Sequence, residues 1–378
     1  MKKILIFSSV HIWNDTRIYH REAKTLQQLG YDVQLYGIDG VDAPNNQAEN
    51  NSITLLKKQK LFKRMRYWKQ FYQIAKEQKV GYVHLHDPEL LLVAYFIKKR
   101  TNNKVIFDMH ENFPAALKSK KIGGKMIPKW AIFLISKFEK KVLMKLDAVI
   151  FAEKSYKKDY QELTTNTVDI LNYPLKKRML IEKSSPKIPT IVYAGAMHEI
   201  RGFKEMLKVA RELKKQEVSF KLVLIGEIPQ RLIEHSTEFI KENNLKNHIE
   251  LTGRLDLEKL NAHYQEATLG LALLHPEPNY LESLPTKIFE YMSFGIPYIA
   301  SNFPLWQELV DETKSGLVVD PKNVEEIAIV IKRILIDSKL HLELGMNGRK
   351  AHLTKYNWET EALKLEQLYQ ELSEERLN

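Results

Sequence analysis

The sequence predicts an α/β protein built as two successive doubly wound halves, and three observations carry that expectation. Apolar runs of strand length alternate with stretches of helical period in both halves, the pattern that yields a parallel sheet flanked by helices. At 378 residues the chain is long for one core, and roughly 100 to 200 residues per domain favours two. Between the halves, Asn172 to Pro189 (NYPLKKRMLIEKSSPKIP) combines three prolines with basic and serine residues and has no convincing period, so it reads as a linker.

The first half opens with Lys2, Lys3 and a short apolar run, but Asn14, Asp15 and Arg17 follow too soon for a secretory leader; Ile4 to Ser9 is a first strand. Further strands are expected at Asp32 to Tyr36, Tyr82 to His86, Val105 to Met109 and Ala148 to Ala152, with Asp87-Pro88-Glu89 starting a helix. Lys57 to Lys69 (KKQKLFKRMRYWK) is strongly basic, and Leu61, Met65, Trp68 and Tyr72 recur within it and just beyond at helical spacing. Such a helix either lies on anionic lipid or packs its apolar stripe on the sheet, and the two are compatible. A second basic stretch, LKSKKIGGKMIPKWAIFLISKFEKK, places Gly123-Gly124 beside Ile122, Met126 and Ile127 and reads as a loop able to dip into lipid.

In the second half the expected strands are Thr190 to Ala194, Lys221 to Ile225, Ile249 to Thr252, Leu269 to Leu274, Tyr298 to Ser301 and Gly316 to Val319. The segment from Asn279 to Ser301, NYLESLPTKIFEYMSFGIPYIAS, is the most informative. Pro285 suits a first helical position, where its missing N–H costs nothing, and Gly295 with Pro297 stops the helix before the next strand. Lys287 and Glu290 then share a face. Free N–H groups at such a helix start attract a phosphate, and a carboxylate one turn further in sits roughly 5 Å away, suited to a sugar's hydroxyls. That points to a reader of nucleotide sugars. At the end, Leu365, Leu368, Tyr369 and Leu372 fall on one helical face.

Ligands of open α/β sheets bind beyond the carboxyl ends of the strands, and here those ends carry His11, His84, His86, Asp108, His110, Gly195 and Gly226. The ligand is therefore expected between the two halves. Asp15 and Arg17 follow the first strand, where an acceptor or a donor phosphate approaches or where an ion pair merely closes the loop; His86 is the third acceptor-side candidate. The pair His84 and His86 faces one way only if the strand runs through both, and no further ligand cluster is evident, so no metal is expected and hydrogen bonding is the plainer reading.

Composition removes other classes. Cysteine is absent, which excludes disulfides and thiolate metal sites. No apolar run approaches about 18 residues, so a soluble cytoplasmic protein is expected. Residues 1–172 hold 30 Lys and Arg against 17 Asp and Glu, whereas the remainder is slightly acidic, so one half faces something anionic. No recognised nucleic-acid module orders these cations, and no nucleic-acid partner is expected. There is no G-x-G-x-x-G loop and no nucleophile-elbow motif.

Together these features resemble the retaining glycosyltransferases of family 4, which have the GT-B fold: two Rossmann-like, doubly wound domains facing a central cleft. The resemblance covers nearly the whole chain. Glu282 and Glu290 stand eight positions apart, as in the family's E-x7-E motif, followed by YMSFGIPYIAS; HLHDPELL, FDMHENFP, NYP and YAGAMHEIRG occur in the expected order. It implies that Glu290 binds the donor ribose, that Glu282 approaches the donor sugar, and that His110 contacts that sugar from the N-terminal domain. Donor binding also falls to Gly195, Arg201, Gly226, Ser283, Leu284 and Lys287, and catalysis to His110, Glu282, Arg201 and Lys287. The family's G-R-x-x-x-x-K-G loop reads here Gly195 to Gly202 with Ala196 in place of the arginine and Arg201 in place of the lysine. Diphosphate charge then rests on Arg201, Lys287 and the N–H groups near Ser283 and Leu284, Lys287 compensating from the first helical turn.

The expected domains are 1–172, binding acceptor, with a helix at about 358–378 crossing back, and 173–357, binding the nucleotide sugar. The absence of D-x-D fits the metal-independent donor binding that the resemblance implies, with no cofactor beyond the nucleoside diphosphate sugar substrate. The expected acceptor is lipid-linked or a glycan in cell-surface polysaccharide assembly, with the protein peripheral on the inner face of the plasma membrane. A sugar-nucleotide epimerase or phosphorylase of GT-B fold is the alternative, as is an inactive nucleotide-sugar-binding protein, which Ala196 keeps open.

Overall fold

The computed structural model describes residues 2–40, 52–78, 80–118, 121–122, 125–176 and 188–374. The Gly123-Gly124 pair, the Leu61 and Ile122 side chains and the middle of the expected linker (177–187) lie outside the described residues. The chain divides into two compact units, Met1–Asn172 with Trp358–Asn378, and Tyr173–Asn357.

The first unit contains strands β1 (Lys3–Ile12), β2 (Asp32–Ile38), β3 (Ile53–Leu56), β4 (Tyr82–Leu85), β5 (Lys104–Met109), a short hairpin of β6 (Lys121–Ile122) and β7 (Lys125–Met126), β8 (Ala148–Phe151) and β9 (Asn166–Asp169). Seven of them form a parallel sheet in the order β3-β2-β1-β4-β5-β8-β9. Its helices are α1 (Lys24–Gln28), α2 (Leu61–Glu77), α3 (Leu91–Arg100), α4 (Phe113–Leu117) and α5 (Lys129–Leu143), with a π-helical turn at Ile18–Ala23. Central strands covered on both faces read as unbroken apolar runs, and Ile4 to Phe7 are wholly buried. The order reverses direction between β1 and β4, so the loops leaving β1, β4 and β5 converge on one crevice.

Edge strands β3 and β9 were not among the expected strands. Each has only four residues, and most are half-exposed, so neither carries a dense apolar run. Helix α2 also corrects the expected stripe. Tyr67, Phe71 and Ala75 face the core, with Phe71 stacked 4.3 Å from Phe7, while Met65 is half exposed and Phe62 is 85% exposed. The buried row begins at Tyr67, so Trp68 and Tyr72 pack only at its margin.

The second unit contains β10 (Thr190–Ala194), β11 (Lys221–Ile225), β12 (Ile249–Gly253), β13 (Leu269–Ala272), β14 (Tyr298–Ser301) and β15 (Gly316–Val319). These form a parallel sheet in the order β12-β11-β10-β13-β14-β15, reversing between β10 and β13. Its helices are α6 (Phe203–Lys215), α7 (Gln230–Glu242), α8 (Leu257–Glu266), α9 (Pro278–Leu281), α10 (Thr286–Ser293), α11 (Pro304–Thr313), α12 (Val324–Ile336) and α13 (Ser338–Thr354). Helix α10 starts one residue later than expected: Pro285 has an extended ψ of 129° and serves as the N-cap. Gly295, at φ +60°, turns the chain out of the helix, a conformation that suits glycine. Helix α14 (Trp358–Glu374) belongs to the first unit, where Leu365, Leu368, Tyr369 and Leu372 pack with Ile4, Ile6, Tyr82 and Ile106.

Candidate functional site

In the first unit the crevice beyond β1, β4 and β5 gathers a buried network around Asp108. Arg17 grips that carboxylate with two bonds, Nε to Oδ2 at 2.7 Å and Nη2 to Oδ1 at 2.9 Å, and donates Nη1 to the Ile170 carbonyl and to Asn172. His110 Nε2 and His86 Nδ1 lie 3.1 Å and 3.3 Å from Asp108 Oδ2. Burial opposes the Asp108 charge most strongly, yet Arg17 and the two imidazoles hold the carboxyl well below its ordinary range. Burial pushes His86 down to about 4, against the pull of Asp108, so its ring is neutral at pH 7. An ionised carboxylate only accepts, so the His110 Nε2 proton points at Asp108, leaving Nδ1 as the nitrogen without a partner among the described residues. His110 is also the only one of these groups that is not fully enclosed, its side chain being 18% exposed.

A second anchor stands beside it. Buried Asp87 accepts from the Ser9 N–H at 2.6 Å and the Ser8 hydroxyl at 3.0 Å, and its other oxygen lies 2.8 Å from His11 Nδ1. The His11 and His110 rings are 4.9 Å apart. Burial works against charge on His11, but Asp87 outweighs it and raises the imidazole above its ordinary value. The crevice thus presents two part-exposed imidazoles, each fixed by a buried carboxylate.

The acceptor-side candidates need correction. Arg17 and His86 are enclosed, 4% and 0% exposed, and act by holding Asp108 and His110 in place. Asp15 accepts from the Arg17 and Ile18 N–H groups at 2.8 Å and 3.0 Å, capping the turn that begins there. The expectation of no further ligand cluster is corrected too: Glu22, His84, His86 and Asp108 each offer a ligand atom, all within 4.8 Å of one another. Arg17 already brings a positive charge within 3.0 Å of Glu22 as well as Asp108, so the network carries its own cation.

In the second unit a cavity of about 150 Å³ opens beyond β10 and β13, lined by Tyr193, Arg201, Tyr280, Ser283, Thr286 and Lys287 among others. The Arg201 Nε donates to the Tyr280 hydroxyl at 3.4 Å. Lys287 and Glu290 meet on one face of α10, Nζ lying 2.9 Å from Oε2, and the Tyr264 hydroxyl donates to the same oxygen at 2.7 Å. The Ser283 hydroxyl is spent on the Asn279 carbonyl, and the Ser283 carbonyl accepts from Trp306 Nε1 at 2.7 Å. Gly226, at φ +148°, passes so close to the Gly195 carbonyl that a Cβ there would collide with it. The two loops are thereby drawn together at the floor of the crevice. Glu282 is exposed at the end of α9, apart from the cavity lining, whereas Glu290 lies a turn into α10.

The structure therefore assembles Arg201, Ser283 and Lys287 around one cavity, with Glu290 bonded to Lys287, and brings His110, His86 and Arg17 together in the other unit. Sequence reasoning missed Tyr264, Tyr280 and Glu22. Tyr264 comes from α8, 26 positions before Glu290, whereas Tyr280 and Glu22 lie three and five positions from Ser283 and Arg17, and none belongs to a motif that spacing reveals.

Residues 16–168 match the family model Glycosyltransferase Family 4, and residues 178–351 match Glycosyl transferases group 1. The chain is 24% identical over 352 residues to an uncharacterized glycosyltransferase of Haemophilus influenzae, covering 88% of this chain and 90% of that protein. A GDP-mannose-dependent alpha-(1-6)-phosphatidylinositol monomannoside mannosyltransferase of Mycobacterium tuberculosis is 25% identical over 179 residues, 47% of this chain and 46% of that protein. A GDP-mannose:cellobiosyl-diphosphopolyprenol alpha-mannosyltransferase of Xanthomonas oryzae is 21% identical over 169 residues, 45% of this chain and 43% of its own length. The chain thus matches less than half the length of these last two relatives. In fold it is similar to the sucrose-phosphate synthase of Thermosynechococcus elongatus, with a TM-score of 0.74 at 20% identity over 98% of this chain and 99% of the other. The Anabaena HepE protein in complex with UDP and glucose gives a TM-score of 0.73 at 13% identity, covering 98% and 100%. With a family model on each unit and the GT-B arrangement of two parallel sheets, the chain belongs to the group 1 glycosyltransferases and is a glycosyltransferase of the GT-B fold.

Proposed function

We propose that the chain moves a sugar from a nucleoside diphosphate sugar to a membrane-associated, lipid-linked glycan acceptor, with retention of anomeric configuration, in assembling a cell-surface polysaccharide. The observation that carries the donor half is the cavity beyond β10 and β13, where Arg201 and Lys287 converge at the start of α10. Cations and a helix start in one crevice suit a diphosphate, and Glu290, one turn further in, suits the hydroxyls of a ribose. The N–H groups of Ser283 and Leu284 form no hydrogen bond among the described residues and supply two further donors. Charge developing on the leaving diphosphate is stabilised by Arg201, Lys287 and these N–H groups, with no metal required. His110, fixed by Asp108, and Glu282, on the turn before α10, are the residues we assign to the donor sugar, as the family resemblance implies. No side chain is assigned to deprotonate the acceptor.

The acceptor half draws support from charge and exposure in the first unit. Lys63, Arg66 and Lys69 on α2 and Lys137 and Lys141 on α5 are exposed, a basic face suited to the anionic inner surface of a plasma membrane. Among the described residues no helix is long and apolar enough to cross a membrane. Two relatives carry lipids in the names of their acceptors, a phosphatidylinositol monomannoside and a cellobiosyl-diphosphopolyprenol.

The test is a panel of nucleotide sugars incubated with the purified chain, reading nucleoside diphosphate release with Glu290→Ala as the control. Release with one donor, lost in the variant, is expected. Binding without release identifies an inactive reader, release of an epimerised or phosphorolysed sugar identifies the other alternative, and neither binding nor release across the panel sinks the donor reading.

A further inference from the structure

We propose that a cleft in the first unit seats a lipid phosphate, so that the acceptor's phosphate and the first part of its apolar chain are held by the protein; this rests on the lipid-linked acceptor reading above. The cleft has a volume of about 1170 Å³ and is walled by α4, β7, α5 and the chain following Tyr156. That is at the upper end of small-molecule sites, which run to about 1,000 Å³, and far larger than a single sugar requires.

Its lining argues for an amphiphile. Pro114, Ala115, Met126, Ile127, Ile132 and Phe133 form an apolar wall, and Lys118, Lys129, Lys140 and Lys158 stand around it. Its two carboxylates are already engaged, Asp159 by the Asn112 amide at 2.6 Å and Glu162 by Lys140 at 2.7 Å. Of its polar side chains, Asn112 also accepts from the Ala115 N–H and the Tyr160 hydroxyl donates to Glu139 at 2.8 Å, which leaves Ser136 and Gln161 as the uncharged polar groups turned to the cleft. The lining is thus dominated by apolar surface with four lysines against two carboxylates, the complement of a chain ending in phosphate.

Position supports the same occupant. Asn112 lines the cleft and lies two residues beyond His110, so a head group seated there is beside the loop that carries the candidate site. Away from the cleft, α5 exposes Trp130, Leu134 and Phe138 at 68%, 54% and 48%, interleaved with exposed Lys137 and Lys141. A contiguous apolar face of this kind is unusual on a soluble surface, and its cations match an anionic bilayer. The lipid chain leaving the cleft then continues into the membrane against which α5 rests.

The experiment measures binding of farnesyl phosphate to the full chain in solution, with farnesol and inorganic phosphate as separate arms. Farnesyl phosphate is expected to bind at least about tenfold more tightly than either part alone. Ser136→Trp, which fills the cleft, and Phe133→Asp, which places a charge on its exposed wall, are each expected to weaken it at least about tenfold at unchanged circular dichroism and melting temperature. Undiminished binding in both variants, or association only with anionic vesicles whether or not the cleft is filled, overturns the proposal in favour of a surface contact. Binding of UDP and GDP by the wild-type chain is measured in the same preparation. Lipid phosphate binding without nucleotide binding sinks the donor reading and leaves the cleft standing; nucleotide binding without lipid phosphate binding overturns the cleft alone.

Discussion

Asp108 sits at the centre of the first unit's chemistry, because one carboxylate fixes both Arg17 and His110. His110, at the end of its strand, was legible in the sequence, but the carboxylate's bidentate arginine was not, since Arg17 lies on a turn whose burial no local pattern reveals. His86 gives a pH test with a definite sign. Its folded value of about 4 lies below the ordinary 6.5, so between these the unfolded chain binds more protons and stability rises with pH. Burial and the Asp108 charge raise Glu22, which works in the opposite sense, so the comparison must be between wild type and His86→Asn. The wild type is expected to gain on the order of 3 kcal/mol relative to the variant from pH 4 to pH 6.5 in urea unfolding. A difference that does not change with pH would show that His86 titrates normally. In the second unit, Lys287 pairs with Glu290 at 2.9 Å. Lys287→Ala is expected to lower turnover by roughly a hundredfold, and full turnover in that variant removes its assigned role.

Helix α10 shows how an element carries the site. Its stop was readable from Gly295, its start to within one residue from Pro285, and the shared face of Lys287 and Glu290 from their spacing, because each is a local backbone or periodicity effect. Its seat was not readable. The Tyr291 hydroxyl donates to the Val192 and Leu271 carbonyls, joining α10 to β10 and β13, and α13 approaches so closely that a Cβ on Gly345 would stand 2.6 Å from the Gly295 oxygen. Gly345→Val is therefore expected to cost about 1–3 kcal/mol in denaturant unfolding and to weaken nucleotide binding, whereas unchanged stability would mean that α13 yields freely. The α2 stripe failed for the opposite reason: several apolar residues lie at helical spacings on two adjacent faces, and only the sheet decides which is buried. For α5, Trp130→Ser with Phe138→Ser is expected to reduce sedimentation with anionic liposomes severalfold. Sedimentation of the wild type that ignores anionic lipid would remove the bilayer contact altogether.

At the scale of the whole molecule, the parallel αβ alternation was legible because both sheets are covered on both faces and their central strands are continuous apolar runs. The charge asymmetry was legible as a count, yet a count does not show where the lysines stand; the structure places many of them on α2 and α5 and around one cleft. Arg201, Ser283 and Lys287 were each named from motif and spacing, and the fold brings them around one cavity. Tyr264 joined them only through tertiary packing, and Tyr280, three residues before Ser283, through its contact with Arg201. The most direct measurement supplies the purified chain with radiolabelled nucleotide sugars and a lipid extract, and follows label into the organic phase together with nucleoside diphosphate. Label in lipid from at least one donor, matched by diphosphate and abolished by Glu290→Ala, is the expected result; a donor that binds while its label reaches no lipid, or appears as free sugar alone, would contradict it.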